Sequence, residues 1–281
     1  MMISPSEEKF IKNYAYVPEH MPGYGSVMSG GEPFLLEDYL CYNGKGLLIF
    51  VGFPLKETFD ENKMNEVLEG SVKRFKPDQV ALIAPAISPR PGKLSGTDIY
   101  YKLDLVNLRI RSKLKNMIQR ALRGLEVEKS REFKDGHRRL VADFLNSRNL
   151  REETRAIFER IPQYLSSAPT AWIFSARDRA GNLLAFDVAE FGAINYAFYM
   201  FNFKSRLRQV PGASDLLLYS LIKDARQQGK RYVNLGLGIN PGVAFFKKKW
   251  GGLPFLNHES LLYRPSPSSI IDSLWQGLFR P

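Results

Sequence analysis

Residues 209–215 (QVPGASD) stand between a predicted strand and a predicted helix, and their types suit the binding of an anion. The small residues 212–214 let backbone N–H groups approach a phosphate closely, and the following helix adds about half a positive charge at its N-terminus. The basic stretch 204–208 directly precedes this loop. Ser214 or Asp215 alone would also fit as an ordinary N-cap, so the helix start has a purely structural alternative.

Three side chains elsewhere in the second half suit proton transfer and charge stabilisation. Asp187 and Glu190 stand on one predicted strand and are candidates to deprotonate an incoming ammonium, directly or through water. Their spacing places them on opposite faces of the strand, so at most one would face a cleft. Lys247 would contact a donor phosphate or neutralise an oxyanion. The alternatives are a solvated strand edge for the carboxylates and a plain surface position for Lys247.

The elements that must position these residues follow a pattern of antiparallel strands from position 171 onward. A hairpin turn is predicted at 178–181 (DRAG), where Gly181 supplies the positive φ that such turns need. The predicted order is β-β-β-α-β-α-β, with strands at 172–176, 183–191, 194–203, 231–237 and 256–263 and helices at 215–228 and 241–250. Gly229 closes the first of these helices as a C-terminal glycine.

The first half has a different pattern. Short apolar runs at 46–53 (GLLIFVGF) and 79–85 (QVALIAP) flank a polar helical stretch at 57–75, which predicts a βαβ unit. A Pro-, Gly- and Ser-rich loop is predicted at 88–96. The remaining predicted elements are a strand at 98–105, a basic helix at 109–125 and helices at 135–148 and 152–165.

Residues 171–263 resemble the GNAT fold, whose acyl-CoA loop follows the pattern Q/R-x-x-G-x-G/A. Gln209, Gly212 and Ser214 occupy the three motif positions, with Ser where Gly or Ala is usual. Many GNAT enzymes carry a tyrosine general acid on the second helix after this loop. The corresponding position, four residues before Gly251, is Lys247, so a tyrosine acid is not expected there.

The segments FKKKWGG and PGASD are more similar to the FemAB and DUF2156 branch, which pairs two GNAT-like halves. YYKLDL, followed by LRIRSKLKNMIQRALRGLEVE, is similar to that branch's strand and basic linking helix. The resemblance implies an α/β (α+β) protein with a GNAT-like mixed sheet flanked by helices. It divides the chain into a diverged N-terminal GNAT-like half (1–105), a helical linking region (106–170), a GNAT-like acyltransferase domain (171–265) and an amphipathic tail (266–281).

The function that this resemblance implies is transfer of an acyl group from a phosphate-bearing donor, acyl-CoA or an acyl carrier protein, to an amine acceptor. Aminoacyl-tRNA-dependent members of the branch, which modify peptidoglycan precursors or lipids, provide the alternative donor. A strand N–H within 196–203 would meet the oxyanion. The donor-binding residues so assigned are Arg208, Gln209, Val210, Gly212, Ala213, Ser214, Asp215 and Asn240. A non-catalytic relative that binds a nucleotide-bearing ligand or an acidic protein is a further alternative.

The formal net charge of +11 over 281 residues favours acidic partners, including nucleic acid, anionic lipid and coenzyme phosphates. The basic residues cluster at 109–123, 204–208 and 247–249. The first cluster would grip tRNA phosphates or an acidic carrier, or would simply form a solvated helix face. Nucleic-acid binding without catalysis is the alternative suggested by charge alone.

Several other classes are disfavoured. His20, His137 and His258 lack metal-ligand spacing, so no metal is expected. No serine has a G-x-S-x-G setting, which argues against serine hydrolysis. With one cysteine, Cys41, and neither a signal-like N-terminus nor an apolar run of about 18 residues, we expect a cytoplasmic protein. The tail 268–281 has one apolar helical side, which would pack on the protein itself or make peripheral membrane contact.

Overall fold

A computed structural model describes residues 3–89 and 93–265 of the chain. The predicted amphipathic tail, 266–281, lies outside the described residues. The strands are β1 (Glu32–Leu36), β2 (Tyr39–Gly44), β3 (Leu47–Val51), β4 (Gln79–Ala84), β5 (Lys93–Asp104), β6 (Leu125–Ser130), β7 (Ala171–Asp178), β8 (Leu183–Glu190), β9 (Tyr196–Lys204), β10 (Tyr232–Leu237) and β11 (Leu253–Tyr263).

Helices occupy both faces of the sheet that these strands form. They are α1 (Pro5–Tyr14), α2 (Pro22–Ser29), α3 (Glu61–Phe75), α4 (Ser112–Leu122), α5 (Asp135–Asn146), α6 (Glu152–Glu159), α7 (Ile161–Ser167), α8 (Ala213–Gln227) and α9 (Pro241–Lys249), with a short 3-10 helix at Pro18–His20. A mixed sheet flanked by helices confirms the predicted fold class.

Within the described residues the sheet has eleven strands, in the order β1-β2-β3-β4-β11-β5-β10-β9-β8-β7-β6. The same unit occurs twice. Strands β1, β2 and β3 form an antiparallel meander, and β4 returns through α3 to pair in parallel with β3. Strands β7, β8 and β9 form the second meander, and β10 returns through α8 to pair in parallel with β9. The two units meet through β5 and β11, which pair with each other and with β10 and β4.

Apolar faces of the helices fix the two layers. Helices α4 and α8 cover one face of β7–β10 in a core that includes Leu114, Ile118, Leu217 and Leu221. Helices α5 and α7 cover the opposite face. Helix α3 packs its buried stripe on the first unit. These helices form because their apolar residues recur at helical spacing and the polar residues between them face water.

The structure confirms the predicted βαβ unit and the later β-β-β-α-β-α-β order, and it corrects several boundaries. The predicted helix 109–125 ends at Leu122, and Leu125 starts β6. The predicted helix 152–165 is two helices, with Pro162 in the first turn of the second. Part of the predicted loop 88–96 belongs to β5, because β11 is long enough to pair with it as far as Lys93.

Helices α1 and α2 and strands β1 and β2 were not predicted. Helix α1 has a clear local start, a capping box in which Ser4 and Glu7 each bond the other's backbone N–H. Helix α2 lacks such a signal and depends on tertiary packing. Its residue Gly25 lies directly on the buried ring of Tyr42, whose hydroxyl donates to the Glu19 carbonyl oxygen at 2.7 Å.

We expect Gly25→Ala to lower the free energy of unfolding by about 2–3 kcal/mol, because an added Cβ would lie 1.9 Å from Tyr42 Cζ in a filled core. Urea denaturation measures the change. Gly70→Ala is the matched control: it lies in α3 with open space around it and should raise stability by about 0.5–1 kcal/mol. A Gly25→Ala protein as stable as wild type would contradict the packing described for α2.

Candidate active site

The parallel strands β9 and β10 diverge in the middle of the sheet. They pair through Tyr196–Phe198 and Tyr232–Asn234, after which β9 continues to Lys204 while β10 turns towards β5. The buried Asn234 side chain holds the divergence, since its Oδ1 accepts from Gly236 N at 2.8 Å and its Nδ2 donates to Tyr16 O at 2.8 Å. Gly236 has a φ of +75°, which favours glycine. Beyond these residues β9 and β10 are no longer paired with each other, and we call the place where their pairing ends the gap.

The N-terminus of α8 lies against the free part of β9. Gly212 stands at the N-cap with a φ of +85°, and no side chain in the described part of the protein caps this helix. Its first-turn N–H groups therefore face outward with the positive end of the helix dipole. Gly212 also has a packing role, because an added Cβ would lie 3.0 Å from Met117 Cγ of α4. The small residue is thus required by the fold as well as by any anion.

The other predicted donor-binding residues fall into three groups. Val210 and Ala213 pack in the apolar core between α4 and α8. Arg208 and Gln209 are exposed on the preceding loop, where Arg208 lies 3.9 Å from Asp178. The remaining polar residues, Ser214, Asp215 and Asn240, make defined hydrogen bonds.

Each of these three polar side chains fixes a local position. Ser214 Oγ donates to Asn202 Oδ1 of β9 at 3.3 Å. Asp215 is buried and links α8 to the end of α9, since its Oδ1 accepts from Trp250 Nε1 at 2.9 Å and pairs with Lys249 at 2.5 Å. Asn240 caps α9 by accepting from Val243 N at 3.0 Å. Of the three, Ser214 is the one placed between α8 and the gap.

Asp187 is fully buried on the α8 side of β8, so the solvated-edge alternative is wrong for it. Its Oδ1 accepts from Asn202 Nδ2 at 2.5 Å and from the Tyr199 hydroxyl at 3.5 Å. Among the described residues, its Oδ2 has no hydrogen-bond partner. Burial raises the pKa of this carboxyl well above its ordinary value, and the bonds from Asn202 and Tyr199 only partly oppose that rise.

Glu190 is also buried, so the solvated-edge alternative is wrong here too, but its side chain bonds away from Asp187. Oε2 accepts from the Tyr164 hydroxyl at 2.6 Å, and Oε1 accepts from the N–H groups of Phe191 and Gly192 at 3.0 and 2.8 Å. These bonds join α7 to the end of β8. The structure therefore separates the two predicted carboxylates and gives Glu190 a clear structural role.

Lys247 lies at the mouth of the gap. The alternative prediction, that Lys247 is a plain surface lysine, is wrong. The residue is 3% exposed, and its ammonium donates to the carbonyl oxygen of Leu237 at the end of β10. A Cβ built on Gly236 would lie 3.7 Å from Lys247 Nζ and 3.6 Å from Tyr199 O, so Nζ lies close to Gly236 of β10, near the point where that residue approaches β9. Burial lowers the pKa of Lys247 to about 7, against the opposing effect of the Asp98 charge.

The first unit provides an internal comparison. Its parallel pair β3 and β4 stays in register to Val51 and Ile83, at the end of β3, so no comparable gap opens. The N-terminus of α3 carries Asp60, whose side chain accepts from Lys63 N at 3.0 Å, and Glu61 follows in the first turn. A side chain that caps the helix start occupies an N–H group that a phosphate would otherwise use. Of the two units, the second one therefore has the features of an anion site.

Sequence reasoning missed Asn202, Tyr199 and Asp98 as individual site residues. Asn202 and Tyr199 lie within the strand from which an oxyanion-binding N–H was expected, but their partner Asp187 is on another strand. Asp98 accepts from the N–H groups of Gly238 and Ile239 and so shapes the turn after β10. No local motif marks these residues, because each acts through a contact distant in sequence.

Three further observations bear on the kind of site. Within residues 3–89 and 93–265, no group of three His, Cys, Asp or Glu side chains is placed to hold a metal ion. No helix in this same part of the chain is long and apolar enough to cross a bilayer. A shallow cleft of about 310 Å³ between α5 and α6, lined by Phe133, Val141 and Phe158 among others, lies on the opposite face from Lys247 and has none of the polar groups described above.

No protein-family model matches the chain, and no curated protein matches its sequence. Several solved structures, by contrast, match the fold of the chain. The C-terminal DUF2156 domain of a proposed lysylphosphatidylglycerol synthetase from Agrobacterium fabrum superposes with a TM-score of 0.58 at 18% identity, covering 90% of each chain. FemX superposes with a TM-score of 0.61 at 13% identity, covering 98% of each chain. A tandem GNAT protein from the clavulanic acid biosynthesis pathway has a TM-score of 0.51 at 13% identity, covering 82% of this chain and 79% of that one.

These likenesses establish the fold. The chain has a GNAT fold of the type found in the FemAB and DUF2156 branch, as the sequence predicted.

The lowered pKa of Lys247 makes stability depend on pH. Between about pH 7 and the ordinary lysine pKa of 10.5, the unfolded chain holds a proton that the folded protein has released, so stability rises with pH in this window. We expect Lys247→Met to stabilise the protein by about 1–3 kcal/mol below pH 7, with a gain that shrinks towards pH 10.

Urea denaturation at several pH values measures this effect. Lys248→Met, at an exposed position on the same helix, is the control and should show no such pH-dependent gain. Loss of stability in Lys247→Met at pH 6.5 would show that the Leu237 hydrogen bond outweighs the desolvation of the ammonium.

Proposed function

We propose that the protein is a transferase that moves an acyl or aminoacyl group from a phosphate-bearing donor to an amine or lipid acceptor. The observation that carries this proposal is the buried Lys247 at the divergence of β9 and β10, beside the uncapped N-terminus of α8. A helix end for phosphate, a gap between strands for the acyl arm and a cation at its mouth together suit acyl transfer.

In this mechanism the donor phosphate binds at the first turn of α8, and the reacting carbonyl lies in the gap. The N–H groups of β9 beyond Phe198, where the pairing with β10 ends, would donate hydrogen bonds to the developing oxyanion. The ammonium form of Lys247 adds a positive charge at the same place. The acceptor attacks the carbonyl carbon, its proton passes to water or a basic leaving group, and the donor leaves as a thiol or an alcohol.

The two predicted carboxylates do not suit the role of general base. Asp187 is enclosed, and burial favours its neutral form. Glu190 is directed to the opposite face and is fully hydrogen-bonded. We therefore assign charge stabilisation to Lys247 and assign proton removal to no side chain of the site.

A specific observation favours aminoacyl-tRNA over acyl-CoA as the donor. Helix α4 packs directly against α8. The helix and the residues that flank it carry exposed basic side chains that form no ion pair with any described residue: Arg109, Arg111, Lys113, Lys115, Arg120 and Arg123. Six exposed cations within 15 residues are more than one coenzyme requires, and they suit a polyanion. The FemX and DUF2156 likenesses agree with this choice.

The donor is tested by calorimetric titration with coenzyme A, acetyl-CoA and lysyl-tRNA. We expect Ser214→Asp to weaken donor binding at least 10-fold, because a carboxylate in the first turn of α8 repels phosphate while remaining favourable for the helix dipole. Ser6→Asp is the matched control, since Ser6 holds the same position in the exposed first turn of α1. Its binding should equal that of wild type.

Each outcome has a definite meaning. Binding of tRNA with a steep salt dependence supports the aminoacyl branch, and binding of coenzyme A alone supports an acyl-CoA donor. If Ser214→Asp binds the donor as tightly as wild type, the donor phosphate does not bind at the N-terminus of α8. Binding with no turnover of any donor would indicate a non-catalytic ligand-binding protein.

Lys247 should control the rate of the reaction. With the donor identified above, we expect Lys247→Met to lower kcat about 10²–10³-fold, because the oxyanion loses a buried cation. In wild type, activity should fall as the pH rises through about 7, where Lys247 loses its proton. Lys248→Met should retain the wild-type profile. A wild-type rate that is flat from pH 6 to 9 would contradict a charged Lys247.

A further inference from the structure

A chain of polar side chains runs from the buried Asp187 in the sheet, through the half-buried Asn202, to Ser214 in the first turn of α8. Asp187 Oδ1 accepts from Asn202 Nδ2 at 2.5 Å, and Asn202 Oδ1 accepts from the Ser214 hydroxyl at 3.3 Å. Both ends of the Asn202 amide are therefore used, one by each neighbour. An amide whose N–H and C=O ends both have partners has a fixed orientation, whereas one with a single partner is free to flip.

The hydrogen-bonded series from Asp187 to Ser214 has a cost in folding free energy. Asp187 is fully buried, its Oδ2 has no partner among the described residues, and no Lys, Arg or His of the described chain forms an ion pair with it. Its remaining contact is the Tyr199 hydroxyl at 3.5 Å. An apolar side chain of similar size would avoid the desolvation of a carboxyl and the unsatisfied oxygen. Proteins retain such local costs mainly where function requires them.

We propose that Asp187 is a positioning residue for the donor site: it fixes the Asn202 amide, which holds Ser214 and the first turn of α8 in place. The identity of the donor rests on the proposed function, whereas the positioning of the first turn of α8 does not. Asp215 anchors the same turn on its other side through Trp250, so the turn is fixed from two directions. On the side of the gap, the hydrogen bonds from Asp187 through Asn202 to Ser214 hold the turn in place.

Hydrogen exchange tests the positioning without any donor. In Asp187→Leu, the amides of Leu216 and Leu217 in the first turns of α8 should exchange about 10-fold faster, while urea denaturation shows a protein at least as stable as wild type. Asp187→Asn keeps an acceptor for Asn202 and should exchange like wild type. Asn202→Ala breaks the same chain from its middle and repeats the measurement if Asp187→Leu does not fold.

Ser175→Ala is the control for removal of a buried polar group from the same sheet. Ser175 pairs with His137 at 2.9 Å on the opposite face, so its loss should not alter exchange in α8. With whichever of acetyl-CoA or lysyl-tRNA binds wild type, Asp187→Leu should raise the KM for the donor about 10-fold and leave kcat within twofold.

The results distinguish this proposal from the one on which it builds. If wild type binds neither donor, the proposed function fails while faster exchange in Asp187→Leu still supports the positioning. If exchange at Leu216 and Leu217 is unchanged, or if Asp187→Asn behaves like Asp187→Leu, the positioning proposal is overturned whatever the donor.

Discussion

The divergence of β9 from β10 is the constraint on which the candidate site depends. A parallel pair that stayed in register would fill the centre of the sheet, as β3 and β4 do in the first unit. Here the buried Asn234 amide and the positive φ of Gly236 turn β10 away after three paired residues. This change in the direction of β10 leaves one side of β9 unpaired. The position of Lys247 and the packing of the first turn of α8 both depend on it.

The two units show how one architecture is used for different purposes. In the first unit the helix start is capped by Asp60 and the strands remain paired, so the unit contributes a closed, apolar body. In the second unit the helix start is left open by Gly212, and its neighbours are basic. Strands β5 and β11 join both units in one sheet.

Stability and function oppose each other around this gap. Lys247 and Asp187 are both buried. Burial lowers the pKa of Lys247 and raises the pKa of Asp187, so it favours the neutral form of each. Neither residue has a closely bonded partner of opposite charge within the described chain. By contrast, Glu190 accepts three hydrogen bonds and has the features of a structural carboxylate. Unrelieved burial of ionisable groups is typical of sites that act on a substrate.

Local signals in the sequence predicted the apolar runs of β3 and β4, the periodic helices and the loop before α8. They also carried the family resemblance at Gln209, Gly212 and Ser214. Tertiary structure decided which polar residues meet. Asp187, Asn202 and Ser214 lie on three different elements, and the burial of Lys247 depends on where β10 ends. Helix α2 and strands β1 and β2 likewise depend on long-range packing. Spacing along a chain encodes the period of one element, whereas desolvation and hydrogen-bond partners arise only when elements pack together.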